Sequence, residues 1–168
     1  MIHVCSLARL HETVEETGAR HVVSLLADED RVDRPSAIVE QNHLWLRLHD
    51  ISMPLDGYIL PEEAHVADLL KFVRRWDRRA PLVVHCFAGI SRSTASAYAS
   101  VCALNPHRDE ASIAQALRRA SPTATPNIRI VSLADRLLQR DGRMIAAIET
   151  IGRGEIALEG EPFRLDLE

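Results

Sequence analysis

Cys86 and Arg92 stand six positions apart in the stretch His85-Cys86-Phe87-Ala88-Gly89-Ile90-Ser91-Arg92-Ser93. The residues before it, Pro81-Leu82-Val83-Val84, are apolar and read as a short buried strand; those after it, Thr94 to Ala99, read as a helix. A tight loop between strand and helix can curl its successive N–H groups round one oxyanion, and the helix N-terminus adds positive potential. A cysteine in such a loop is a nucleophile at the floor of an anion pocket. The helix end and the neighbouring His85 are together expected to lower the Cys86 pKa and favour thiolate near neutral pH. Arg92 offers a planar fork that can hold two phosphate oxygens, which lysine cannot. Gly89 falls where the ring of N–H groups must turn sharply with no side chain in the way. The competing reading of Cys86 is an inert buried thiol. The strand–loop–helix frame argues against it.

His-Cys, five residues, then Arg-Ser resembles the signature loop of the cysteine-dependent protein tyrosine phosphatases, including their dual-specificity branch. The resemblance covers about residues 20–140, and is strongest at 82–94. It implies an enzyme that removes phosphate from phosphotyrosine, with phosphoserine and phosphothreonine left open, through a phosphocysteine intermediate and without a metal or other cofactor. By the same resemblance, Phe87, Ala88, Gly89, Ile90, Ser91 and Arg92 bind the phosphate ion. Ser93 gives its hydroxyl to the thiolate, or acts as a helix N-cap or first-turn residue, and His85 hydrogen-bonds backbone to support the loop. The partner is a phosphorylated protein or peptide.

The family's general acid is an aspartate on a movable loop some way before the cysteine. Asp50 and Asp56 qualify, thirty-six and thirty residues ahead of Cys86. Asp50 follows a strand in Leu48-His49-Asp50-Ile51, and strand carboxyl ends are where α/β sites assemble. Asp56 lies in Pro54-Leu55-Asp56-Gly57, which also reads as a plain turn. Asp50 is therefore preferred, and Asp28 and Asp30 are weaker. The absence of Trp-Pro-Asp separates the chain from the larger tyrosine-specific enzymes and points to the compact dual-specificity-like branch. Phosphoinositide-selective relatives carry lysine in the loop, whereas Phe87, Ala88 and Ile90 bring no cation. A phosphoinositide or small-molecule phosphatase, a catalytically weak phospho-residue binding module and a sulfur-transfer enzyme are the alternatives.

The elements that must position these residues follow from periodicity. Strands are expected at 2–7, 21–26, 43–48 and 81–86, and helices at 8–17, from 61 through Arg79, at 92–104, 109–120, 126–140 and 143–151. Strand–helix units come first and helices alone follow the loop. This predicts a single α/β domain with a central, mostly parallel sheet of four to five strands flanked by helices. Residues 31–42 and 50–60 read as connections, and 121–127 as a rigid one. The phosphatase domain is taken as 1–154, and 155–168 as a C-terminal tail, docked or partly disordered. Arg74, Arg75, Arg78 and Arg79 read as a solvated helix end, with a rim for acidic substrates as the competing view.

Composition bounds the rest. At 168 residues, with 46% hydrophobic and 26% charged residues, the chain suits one soluble globular domain. A net charge of −4 gives no argument for nucleic-acid binding, and no apolar run is long enough for a membrane span. Cys5, Cys86 and Cys102 are odd in number and widely spaced, and the N-terminus does not read as a signal peptide, so a reducing cytoplasm is expected. Cys5 and Cys102 read as core residues, with a resolving thiol for oxidised Cys86 as the sharper alternative. The eight histidines show no metal-ligand spacing. Lys71 is the one lysine beside nineteen arginines, a bias that fits a GC-rich bacterial genome.

Overall fold

The apolar runs become strands because both of their faces are covered. In the computed structural model, which describes residues 1–167, the elements run β1 (Ile2–Cys5), α1 (Leu10–Thr17), β2 (His21–Leu26), β3 (His43–Arg47), α2 (Glu63–Arg75), β4 (Leu82–His85), α3 (Arg92–Leu104), α4 (Glu110–Ala120), α5 (Ile128–Leu137), α6 (Arg143–Ile151) and β5 (Phe163–Leu165). The five strands form one sheet in the order β3-β2-β4-β1-β5. Pairings among the first four are parallel; β5 runs antiparallel to β1. This is the predicted α/β architecture, with six helices about a mostly parallel sheet.

Successive side chains of a strand point to opposite faces, and the two hydrophobic clusters follow that period. Val22 and Val83 pack with Leu10 and Val14 of α1, together with Ile38. Val23, Leu25, Leu82 and Val84 pack on the other face against α2 through Val66, Leu69, Leu70 and Val73, and against the later helices. α3 runs through the middle of that second layer. Its residues 92–102 are all buried, and their small side chains (Ser93, Ala95, Ser96, Ala97, Ala99) let neighbouring helices approach closely. The strand that delivers the loop and the helix that receives it are therefore both interior, and the loop between them cannot drift.

The segment after residue 154 is docked. Phe163 and Leu165 are buried and alternate with exposed Arg164, so a short amphipathic run adds to the free edge of β1. Three residues give a weak periodic signal, which is why the strand is not legible in the sequence. The other elements differ from expectation by a few residues at their ends, where caps rather than apolar spacing decide. Thus α5 starts at Ile128, after Asn127 rather than at Pro126, because the Asn127 Oδ1 accepts from the N–H groups of Arg129 and Ile130. Among the described residues no helix is long and apolar enough to cross a membrane.

Candidate functional site

Parallel pairing sets the floor of the site. β4 lies between β2 and β1, with Ser24 and Cys5 both opposite His85. Just past these strand ends, the Leu7 N–H donates to the Phe87 carbonyl at 3.0 Å. Gly89 lies with φ +75 against the Cys5–Ser6 peptide, and a Cβ built there would meet Ser6 N at 2.8 Å and Cys5 C at 2.9 Å. Any side chain at residue 89 would push the loop off β1.

Within the loop, Cys86 is buried and its Sγ lies 3.1 Å from the Ser93 Oγ, while the Gly89 N–H donates to it at 3.3 Å. Arg92 opens α3 and is 7% exposed. Its Nη1 donates to the Leu48 carbonyl at 3.0 Å, at the end of the chain leaving β3. Among the described residues its buried Nε has no partner, so the fork is anchored at one corner and retains an unspent donor. A buried unpaired donor on a cation is costly unless a ligand completes it. An anion at the N-terminus of α3 would do so.

Asp50 is brought to this loop. Its Oδ1 accepts from the Ser91 Oγ at 2.7 Å and from the Asn127 Nδ2 at 2.8 Å. Asn127 also donates to the Ile51 carbonyl at 3.3 Å while capping α5. Asp56 sits in an exposed turn closed by the Tyr58 N–H on the Leu55 carbonyl at 3.1 Å. Asp28 pairs with Arg47 at 2.7 Å, an exposed contact. The segment 121–127, read as a mere connection, is a wall of the site. The Thr125 N–H donates to the Ile90 carbonyl at 3.0 Å and the Asn127 N–H to the Ser91 carbonyl at 3.3 Å. Sequence reasoning did not single out Asn127; the available signal was an Asn directly before an apolar-periodic run, the position of an N-cap. Arg74, Arg75, Arg78 and Arg79 are exposed and lie on the approach to the start of β4, at the opposite end of that strand from the loop.

His85 departs from expectation. It does not sit beside Cys86 as a cation, because burial pushes its pKa from 6.5 down to about 3. A neutral imidazole cannot favour a thiolate by charge. Its Nε2 instead meets the Ser24 Oγ at 2.6 Å, and the same hydroxyl meets the His43 Nε2 at 2.8 Å. The loop's first residue is thus pinned sideways across the sheet.

A pH dependence of stability follows. The unfolded chain takes up a proton on His85 below about pH 6.5 that the native chain refuses until about pH 3. The native state binds fewer protons, so stability is full above this window and falls as pH drops through it. His3, His21 and His43 are also lowered by burial and act with the same sign. The urea midpoint is expected to fall from about pH 7.5 to about pH 5, less steeply in His85→Gln, with the m value unchanged. An equal slope in the variant would refute the assignment.

Burial pushes both spare thiols up, Cys5 to about 12 and Cys102 to about 12, which suits core residues over reactive ones. Among the described residues no group of three or more His, Cys, Asp or Glu side chains is placed to hold a metal ion.

A family model described as protein-tyrosine phosphatase matches residues 19–123. No curated protein sequence matches the chain. Among solved structures, DUSP15 superposes with a TM-score of 0.65 at 18% identity, covering 89% of this chain and 90% of its own. The Cydia pomonella PTP-2 phosphatase gives 0.62 at 19% identity, over 80% of this chain and 84% of its own. PTPMT1, solved in complex with PI(5)P, gives 0.60 at 14% identity, over 83% and 91%. At these identities the likeness is one of fold.

Proposed function

This chain belongs to the protein-tyrosine phosphatase family, and from that premise we propose that it hydrolyses phosphotyrosine in proteins or peptides through a phosphocysteine intermediate. The observation that carries the reading is the company of the Cys86 sulfur. A hydroxyl and a backbone N–H converge on it at the start of a buried helix, next to an arginine with an unspent buried donor. Residues 1–154 would form the catalytic body, closed on one side by the segment that follows.

In the first step the Cys86 thiolate attacks phosphorus, an S–P bond forms and the bond to the leaving oxygen breaks, while Asp50 gives that oxygen its proton. Arg92 and the loop N–H groups hold the equatorial oxygens where charge develops. In the second step Asp50 takes a proton from water, the water oxygen bonds to phosphorus, and the sulfur leaves as thiolate. The Ser93 hydroxyl, 3.1 Å from that sulfur, is in reach to donate to it as it leaves.

The test is a parallel assay, in EDTA, of phosphotyrosyl, phosphoseryl and phosphothreonyl peptides against a phosphoinositide in vesicles. The phosphotyrosyl peptide is expected to be the best substrate, with the activity intact under chelation. The loop positions Phe87, Ala88 and Ile90 carry no cation for extra phosphates, which counts against the phosphoinositide. Preference for the vesicle-borne lipid would replace the proposed substrate class, and no hydrolysis of any of them would favour the binding-module reading.

A further inference from the structure

Large apolar side chains left exposed are ordinary when scattered and informative when gathered at a site. Here Phe87, in the phosphate loop itself, is 58% exposed, and Ile156 and Leu158 are 92% and 99% exposed. The last two ride on a strap that is firmly held. The Gly154 N–H donates to the Thr125 Oγ1 at 3.1 Å, the Glu155 N–H to the Pro122 carbonyl at 3.0 Å, and the Gly160 N–H to the Ala88 carbonyl at 2.9 Å. Glu159 is hydrogen-bonded by the Ser6 hydroxyl. A Cβ at Gly154 would meet Thr123 C at 2.5 Å, so the strap lies backbone to backbone on the wall of the site. Its backbone is spent on anchoring while its aliphatic side chains project into water.

Between strap and loop lies a cleft of about 360 Å³ lined by Leu7, Ala8, Phe87, Ala88, Leu158 and Glu159. That is at the lower end of ligand-pocket volumes, roughly 300–1,000 Å³, and has room for an apolar side chain. The cleft is continuous with the phosphate loop, since Phe87 and Ala88 belong to both. Charge identifies the occupant. Glu155 and Glu159 on the strap and Glu161 just after it are exposed, against the single exposed cation Arg153 just before it, a net negative balance that repels an anionic bilayer and attracts cations.

We propose that the strap Gly154–Gly160 is a substrate-reading element, which seats in the Phe87–Leu158 cleft an apolar side chain neighbouring the phosphorylated residue of a peptide that carries basic residues farther out. This deepens the phosphoprotein reading and rests on it. The strap's side chains would act on affinity for the peptide and leave the chemistry at Cys86 alone, while its backbone bond to Ala88 holds the loop.

Two variants, Leu158→Asp and Ala8→Asp, each charge the lining of the cleft at an exposed position. They are assayed on an aryl phosphate too small to reach the strap, on phosphotyrosyl peptides bearing Leu or Asp at each adjacent position with Lys beyond, and on phosphoinositide vesicles. The unaltered protein is expected to prefer a Leu peptide. Each variant should lose about tenfold in kcat/KM on that peptide, mostly through KM, with the aryl phosphate rate held. Equal losses on peptide and aryl phosphate, no loss on the peptide, or a loss confined to vesicles would each overturn the proposal. An unaltered protein that hydrolyses the aryl phosphate yet ignores the adjacent residue sinks the strap reading alone. One that hydrolyses nothing sinks the parent reading and this one with it.

Discussion

Cys86→Ser is expected to remove turnover of an aryl phosphate almost wholly, by on the order of 10⁴-fold or more, while the protein still binds phosphate-bearing ligands. The substitution exchanges sulfur for oxygen at a buried position where the Ser93 hydroxyl and the Gly89 N–H already converge, so the cavity and its donors survive. What goes is the nucleophile. A serine hydroxyl has no base beside it here: among the described residues the sulfur's hydrogen-bond partners are one hydroxyl and one N–H, and His85 is turned away onto Ser24. Arg92 keeps its anchor on the Leu48 carbonyl and its free Nε, so phosphate affinity should be retained. Equilibrium binding of a phosphotyrosyl peptide, run beside single-turnover kinetics, separates the two properties. Residual turnover within tenfold of the unaltered protein would show that Cys86 is not the nucleophile.

Asp50→Ala is expected to lower kcat by about 10²–10⁴ on substrates with poor leaving groups, and far less on one whose leaving oxygen needs no proton. The contrast between substrates is the diagnostic part, since a merely structural defect would depress both. Asp50 is held by Ser91 from the loop and by Asn127 from the cap of α5, at 2.7 and 2.8 Å. Asn127→Ala should therefore reproduce part of the kinetic loss, and also cost about 1 kcal/mol of stability through the lost cap. Asp56→Ala serves as the control and should leave turnover near normal. If Asp56→Ala gives the leaving-group-dependent loss and Asp50→Ala does not, the roles are reversed.

Much of this site is legible in the residue order, for a physical reason. A cysteine, a glycine and an arginine on a strand–loop–helix turn are constrained within nine consecutive residues, so local spacing carries nearly all the information. Asp50 was legible through topology, because a strand's carboxyl end in a parallel sheet has a predictable address. Asn127 was not, because its value depends on a fold that brings residue 127 back to residue 50, and no local pattern encodes that distance. The neutrality of His85 was hidden for a related reason. Adjacency in sequence implied a charge beside the thiol, whereas burial in a central strand decides the protonation state. The strap and β5 were the least legible, being short and held largely through backbone groups, whose partners no side-chain pattern reveals.

The contacts of Gly89 on the Cys5–Ser6 peptide and of Gly160 on Ala88 set an order of events during synthesis. The loop is translated between its clamps, which come from residues 5–7 and from the region of 154–165. Helices α1 to α6 can form as they emerge, but pairings with so large a sequence separation close late and slowly. A ribosome-bound chain halted after α6 would carry every residue of the chemical machinery on a loop still missing one of its clamps. Competence to turn over substrate would then appear as a cooperative event, and pulse-labelled nascent chains of graded length would gain activity in a step once residues 154–165 have emerged rather than when Arg92 or Asn127 is made.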